Sequence, residues 1–161
     1  MFTETKNLLS EVAVKKVNFY KSGIIKYLIA SMWAGAYVGF GIFLIMTIGG
    51  LGSESNFPFT KMLMGLSFGI ALSLVIMAGS ELFTGNNMIL TVGALDKKVT
   101  WKDSAKIWIW SFIGNAIGST LLGLLLSLTN AAATPTGAFI LKTAATKMTG
   151  DFIPLLVNGT L

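Results

Sequence analysis

Ile76-Met77-Ala78-Gly79-Ser80-Glu81-Leu82-Phe83-Thr84-Gly85-Asn86-Asn87 decides how this chain is read, because it lies inside an apolar run rather than between two of them. Residues 62–80 carry no charge, and the run resumes as Met88-Ile89-Leu90-Thr91-Val92-Gly93-Ala94-Leu95 before Asp96 opens a charged loop. The 34 residues of 62–95 would make a straight helix of about 51 Å, against a hydrocarbon core of about 30 Å. The segment must therefore tilt strongly, overhang or break. Two glycines, a serine, a threonine and two asparagines around a lone carboxylate mark 79–87 as the break. Unwound backbone at membrane depth is tolerated only where protein buries it or where it lines a water-filled cavity. An ionisable group there is costly and implies a function, and the free N–H groups of a half-helix favour anions. These residues point to a pore or transport site. They also admit a second reading, an interfacial turn that joins a span to a surface helix.

The surroundings specify the solvent. Of 161 residues, 53% are hydrophobic and 12% charged, with a mean hydropathy of +0.74, too apolar for an ordinary soluble domain. Two more uncharged runs, 27–50 and 107–128, hold 24 and 22 residues, each enough for a membrane-spanning helix. The first exceeds the ~7–15 residues of a cleavable signal core and is expected to stay as a helix. A fourth apolar segment covers 152–161, with Pro154 in its first turn. Its ten residues reach about 15 Å, half a bilayer. The expectation is thus the N-terminal part of a longer protein.

The twelve basic residues are all lysines, set against seven acids for a net charge of +5. Nine lysines lie in the tail before the first span or in the 95–106 connection, and three in the other connections. By the positive-inside rule, the N-terminus and the 95–106 loop are expected in the cytoplasm. Trp101, Trp108, Trp110, Tyr20 and Tyr27 then fall in an aromatic belt at that surface. Leu8, Leu9, Val12, Ala13 and Tyr20 recur at helical spacing among charges, which predicts an amphipathic helix on the inner membrane surface. The expected division is this N-terminal helix over 1–23 and a transmembrane domain over 24–161. Its spans are expected at about 24–50, 62–95 (broken near 79–87), 107–128 and 152–161.

Composition also removes classes of function. Without cysteine or histidine, a transition-metal centre or a nucleophile–base pair has almost nothing to be built from. No enzyme activity, cofactor or metal is expected, and lysines scattered between apolar runs do not make a nucleic-acid surface. The pairs Gly35/Gly39, Gly65/Gly69 and Gly114/Gly118 let membrane helices approach closely, so a multi-helix bundle or an oligomer is expected.

At the broken span the pattern becomes specific. Residues 76–85 resemble the first signature of the formate/nitrite transporter family at every position. The likeness extends to the lysine-bearing approach to span one, Phe68 and Leu72 before the motif, Gly114-Asn115 in span three and Lys147 before the fourth span. This resemblance implies an all-α integral membrane protein with an aquaporin-like, inverted-repeat helical bundle. Residues 1–161 would be its first three-helix repeat and the start of a fourth span, with the second span broken by a pore loop. It further implies a homopentamer in the cytoplasmic membrane. Each subunit would pass small inorganic or organic weak-acid anions such as formate, nitrite or hydrosulfide, as a passive channel or a proton-coupled transporter.

Carried over by position, the resemblance sets Leu82, Phe83 and Thr84 on the pore loop. Leu72 and Leu82 would form the cytoplasmic-side constriction, Phe68 would contribute to the outer one, and Thr84 would be the hydrogen-bonding gate. Lys26, held by Glu81 and Asn86, would draw anions into the inner vestibule, with Lys147 as its outer counterpart. A lysine at each mouth attracts an anion, while desolvation in the apolar constriction disfavours the charged form. The chain departs from the family in lacking the second broken helix and its histidine, so residues 1–161 alone are expected not to conduct. Asn86-Asn87 also differs from the formate channels. The alternative is a non-transporting membrane scaffold or assembly subunit; a neutral-solute pore is disfavoured because the Asn-Pro-Ala repeat is missing.

Overall fold

A computed structural model describes residues 2–151, 153 and 154. Helices and the loops between them account for all the described residues. They are α1 (Phe2–Ser22), α2 (Ile24–Glu54), α3 (Thr60–Ser67), α4 (Gly69–Met77), α5 (Phe83–Leu95), α6 (Trp101–Ser127), a 3₁₀ turn (Asn130–Ala133) and α7 (Pro135–Thr149). Three stretches, Ile24–Glu54, Thr60–Met77 and Trp101–Ser127, are long and apolar enough to cross a membrane. The fourth expected span, 152–161, lies outside the described residues apart from 153 and 154. The chain divides into two compact units.

The first unit comprises Met1–Phe40 and Ile70–Leu124. Its core gathers Ala13 and Val17 of α1, Tyr27 of α2, Leu90 of α5 and Ile107 of α6, with Phe19, Tyr20, Ile89 and Trp108 packed around them. α1 lies on α5, where Gly93 admits Ala13. α2 and α6 meet through two of the expected glycine pairs: Gly35 faces the backbone of Asn115, and Gly118 faces the backbone of Met32. Gly114 meets Ser31, and Gly39 meets Leu122. Such close approach gains dispersion contacts where lipid offers no hydrophobic drive. Gly65 and Gly69, the third pair, have no neighbour within 4 Å of a would-be Cβ. Tyr27 corrects an expectation: it is fully buried in the core rather than placed in an interfacial belt.

The second unit comprises Gly41–Gly69 and Leu125–Leu161. Here α2 ends in a turn in which Phe57 N–H donates to Gly52 O at 2.9 Å and Asn56 takes a positive φ of 52°. Gly49 lies against Phe139 and Gly50 against Pro135, so α7 is seated on the end of α2. α7 begins with Pro135 at its first position, where a missing N–H costs nothing. The sequence pattern of 129–151 predicts only a connection between spans, whereas Pro135–Thr149 is helical.

Candidate functional site

The second span breaks at 78–82, a shorter gap than the expected 79–87, because α5 already starts at Phe83. Phe83 and Thr84 are therefore helical and not part of a loop, which corrects the expected placement. Each backbone group at the gap has an identifiable solution. Gly79 at φ +64° closes α4, with Ser80 N–H on Val75 O at 3.0 Å and Gly79 N–H on Ile76 O at 3.1 Å. This is the Schellman arrangement, which satisfies the last carbonyls of a helix. Glu81 N–H then donates to Ala30 O of α2 at 3.3 Å.

Asn115 does the rest. Its Nδ2 donates to Ser31 O at 2.8 Å and to Glu81 O at 3.0 Å, and its Oδ1 accepts from Phe83 N–H at 2.9 Å. One amide thus ties α2, the gap and the start of α5 to α6. Without it, buried peptide groups would be left unpaired in an environment that cannot hydrate them.

Beside the gap is a cavity of about 580 Å³ whose wall includes Lys16, Leu72, Leu82, Thr84 and Asn86. Four predicted site residues, Leu72, Leu82, Thr84 and Asn86, are therefore brought together. Thr84 and Gly85 in the wall belong to the first turn of α5, the positive end of its dipole. Phe83 instead packs edge-on against Phe112, with ring centroids 5.4 Å apart. Phe68 is 39% exposed between the end of α3 and the start of α4, and Lys147 is exposed in the last turn of α7; both belong to the second unit.

The expected pairing of Lys26 with Glu81 and Asn86 is not what the structure shows. Lys16 Nζ lies 2.8 and 2.9 Å from the two oxygens of Glu81, with 15% and 7% of the respective side chains exposed. Lys26 is exposed. Its neighbour Tyr27 points into the core, and adjacent residues on a helix face about 100° apart. Tyr27 O–H donates to Glu81 Oε2 at 3.2 Å, Asn86 Nδ2 donates to the phenol oxygen at 2.8 Å, and Trp108 Nε1 donates to Asn86 O at 3.3 Å.

Lys16 and Tyr27 meet Glu81, and Asn115 bridges the break, contacts that the sequence does not predict for these three residues. Lys16 had a signal, since it stands three residues after Ala13 on the apolar stripe of α1 rather than on its polar face. Asn115 had one in the resemblance of Gly114-Asn115, though not one that names its partners; Tyr27 had none, because neither helical spacing nor composition distinguishes a tyrosine that will meet a carboxylate.

Residues 3–161 match the family model described as formate/nitrite transporter. The chain is 32% identical over its full length to the "Uncharacterized transporter YwcJ" of Bacillus subtilis, covering 63% of that protein. It is 37% identical over its full length to "Nitrite transporter NirC" of Salmonella typhimurium, covering 59% of it. With "Formate channel FocA" of Escherichia coli it shares 30% identity across 80% of this chain and 46% of that one. A solved "FNT family ion channel" superimposes with a TM-score of 0.73 at 39% identity, over 78% of this chain and 49% of the other. The chain therefore spans about three fifths of the length of the first two relatives. With its helical membrane fold, its broken second span and a family match that runs almost from end to end, this chain belongs to the formate/nitrite transporter family.

Proposed function

We propose that the chain supplies one wall of a pathway by which small monovalent weak-acid anions such as formate, nitrite or hydrosulfide cross the cytoplasmic membrane, as a passive channel or a proton-coupled transporter. One observation carries this reading: the break in the second apolar stretch lies beside a cavity that presents a lysine, a threonine and a helix N-terminus between leucines. A cation and free N–H groups attract an anion, whereas Leu72 and Leu82 make its hydrated, charged form costly to pass. Thr84 hydrogen-bonds the permeating species at the gate. Phe83 backs the constriction, and Phe68 contributes to an outer one. Lys16, paired with Glu81 beside Asn86, takes the inner attracting role. Lys26 adds to that positive charge, and Lys147 serves the outer mouth. The N-terminus is cytoplasmic and the assembly a homopentamer.

The test is uptake of formate, nitrite and hydrosulfide, at two pH values, by cells that express the protein and lack their own transporters of these anions. Uptake of at least one anion is expected, and Thr84→Ala should lower it. No uptake of any of the three by the expressing cells would overturn the pathway in favour of a non-transporting scaffold.

A further inference from the structure

Lys16 and Glu81 form an ion pair, yet the cavity meets only one of them. Lys16 lines it together with Ser80, Thr84 and Asn86, whereas Glu81 is absent from its wall and is 6% exposed. An ionised carboxylate is costly to bury, so one left to itself turns toward any space that water can enter. Tyr27 opposes that turn. A carboxylate only accepts hydrogen bonds, so the phenol O–H at 3.2 Å donates to Glu81 Oε2, and the phenol oxygen in turn takes Asn86 Nδ2 at 2.8 Å. The phenol is itself immobile. Tyr27 is fully buried, with Phe19 and Tyr20 against its ring at centroid distances of 5.8 and 5.5 Å. Directing the Asn86 amide at the phenol leaves Asn86 Oδ1 buried without a partner, so the arrangement is held against an opposing preference of its own.

We propose that Tyr27 is a positioning residue of the anion site: its hydroxyl keeps the Glu81 carboxylate behind the cavity wall, so that an anion in the cavity faces the Lys16 ammonium and has the paired carboxylate on the ammonium's far side. The proposal rests on the pathway reading for its purpose but is tested without transport. With phenylalanine at 27 the ring still fills its place, but the carboxylate keeps only a flexible lysine as partner and turns with it to the cavity, where its negative charge faces an incoming anion.

The chain has no cysteine, so Ser80→Cys puts a single thiol in the cavity wall. The rate of its modification in membranes by an anionic thiosulfonate (sulfonatoethyl), divided by the rate with a cationic one (trimethylammonioethyl), reads the local potential. In each case the thiolate attacks the sulfenyl sulfur, a disulfide forms and methanesulfinate leaves, so thiol reactivity and access largely cancel in the ratio. Tyr27→Phe is expected to lower the ratio about threefold or more, as when one opposing charge moves a few ångströms nearer in a partly screened site. In a Glu81→Gln background, where there is no carboxylate to hold, it should change nothing. 3-Fluorotyrosine at 27, a stronger donor of the same shape, should keep the ratio at or above the parent's. An unchanged ratio in Tyr27→Phe, an equal loss in the Glu81→Gln background, or a fall with fluorotyrosine would each overturn the assignment. If the ratio behaves as expected while cells show no uptake, Tyr27 keeps its role and the pathway reading falls; uptake with an unresponsive ratio has the opposite meaning.

Discussion

At the scale of single residues, Asn115 replaces the hydrogen bonds that an unbroken second span would have made for itself. Asn115→Leu leaves Ser31 O, Glu81 O and Phe83 N–H without this partner, at about 1–3 kcal/mol for each buried group. The thermal midpoint of the detergent-solubilised protein, followed by tryptophan fluorescence, is expected to fall by well over about 5 °C. Asn115→Asp should rescue little, since a carboxylate keeps the acceptor and loses both donors; a variant as stable as the parent would refute this account. A second contrast separates two lysines. Lys16→Met strands the Glu81 carboxylate and removes the cavity's cation, so anion uptake should drop about tenfold or more, the equivalent of 1.4 kcal/mol. Lys26→Met, at an exposed site, should change uptake less than about twofold, an exposed charge being screened. Comparable losses in both variants would mean that Lys26 also acts at the site. The sequence made Glu81 conspicuous because a charge in an apolar run is visible in one dimension. Its partners were not visible, because Lys16 lies 65 residues away and Tyr27 54 residues away, and only the fold brings them to one place.

At the scale of elements, the break is set by backbone chemistry more than by crowding. Gly79 has open space around a would-be Cβ but stands at φ +64°, so Gly79→Ala should destabilise by about 1–2 kcal/mol through strain alone. Gly118→Val is the opposite case: its side chain would run into the backbone of Met32, and α2 and α6 must separate. A much larger loss of folded protein is expected for Gly118→Val than for Gly79→Ala, and equal losses would mean that the α2–α6 contact does not depend on close approach. α1 is tied down by Lys6–Asp96 at 2.6 Å and Lys21–Asp103 at 3.5 Å besides Lys16–Glu81. The Lys6 hydrogen bond holds the Asp96 carboxyl below the usual carboxylate range. A depressed folded-state value means that the tie is present above the ordinary carboxylate pKa and is lost only as pH falls through the lowered one. A spin label on Thr3→Cys should therefore report constant mobility from about pH 8 to about pH 5, with release only below about pH 4. Release near neutrality would assign the docking of α1 to another group. The break itself was legible, since glycines, asparagines and a lone carboxylate interrupt a stretch of 34 residues, longer than one straight crossing needs. The second interruption at Phe68 and helix α7 were not. The first is marked only by Ser67 and Gly69, residue types that also occur inside unbroken membrane helices, and the second mixes lysines and threonines into a pattern that reads as a loop until α2 provides a surface for Phe139 and Pro135.

For the whole molecule, two independent observations group the charged segments at one membrane face. Nine of twelve lysines lie in the tail before the first span and in the 95–106 connection. The ion pairs join these same segments, since Lys6 and Lys21 of the tail reach Asp96 and Asp103 at either end of that connection. Lysine counting assumes that the two segments share a compartment, and the pairing requires it. α2 has 31 residues, about 46 Å of helix, which is long enough to cross a ~30 Å core. Single cysteines in this cysteine-free chain then test the orientation. With a membrane-impermeant maleimide on intact cells, Ser53→Cys at the end of α2 should label. Lys98→Cys, in the lysine-rich connection, should label only after permeabilisation, because positive segments are retained in the cytoplasm. The reverse pattern would invert the protein in the membrane and turn the Lys16 cavity outward. Labelling of both in intact cells would mean that the tail and the 95–106 connection do not fix a single topology, and the ion pairs would then have to form after insertion rather than direct it.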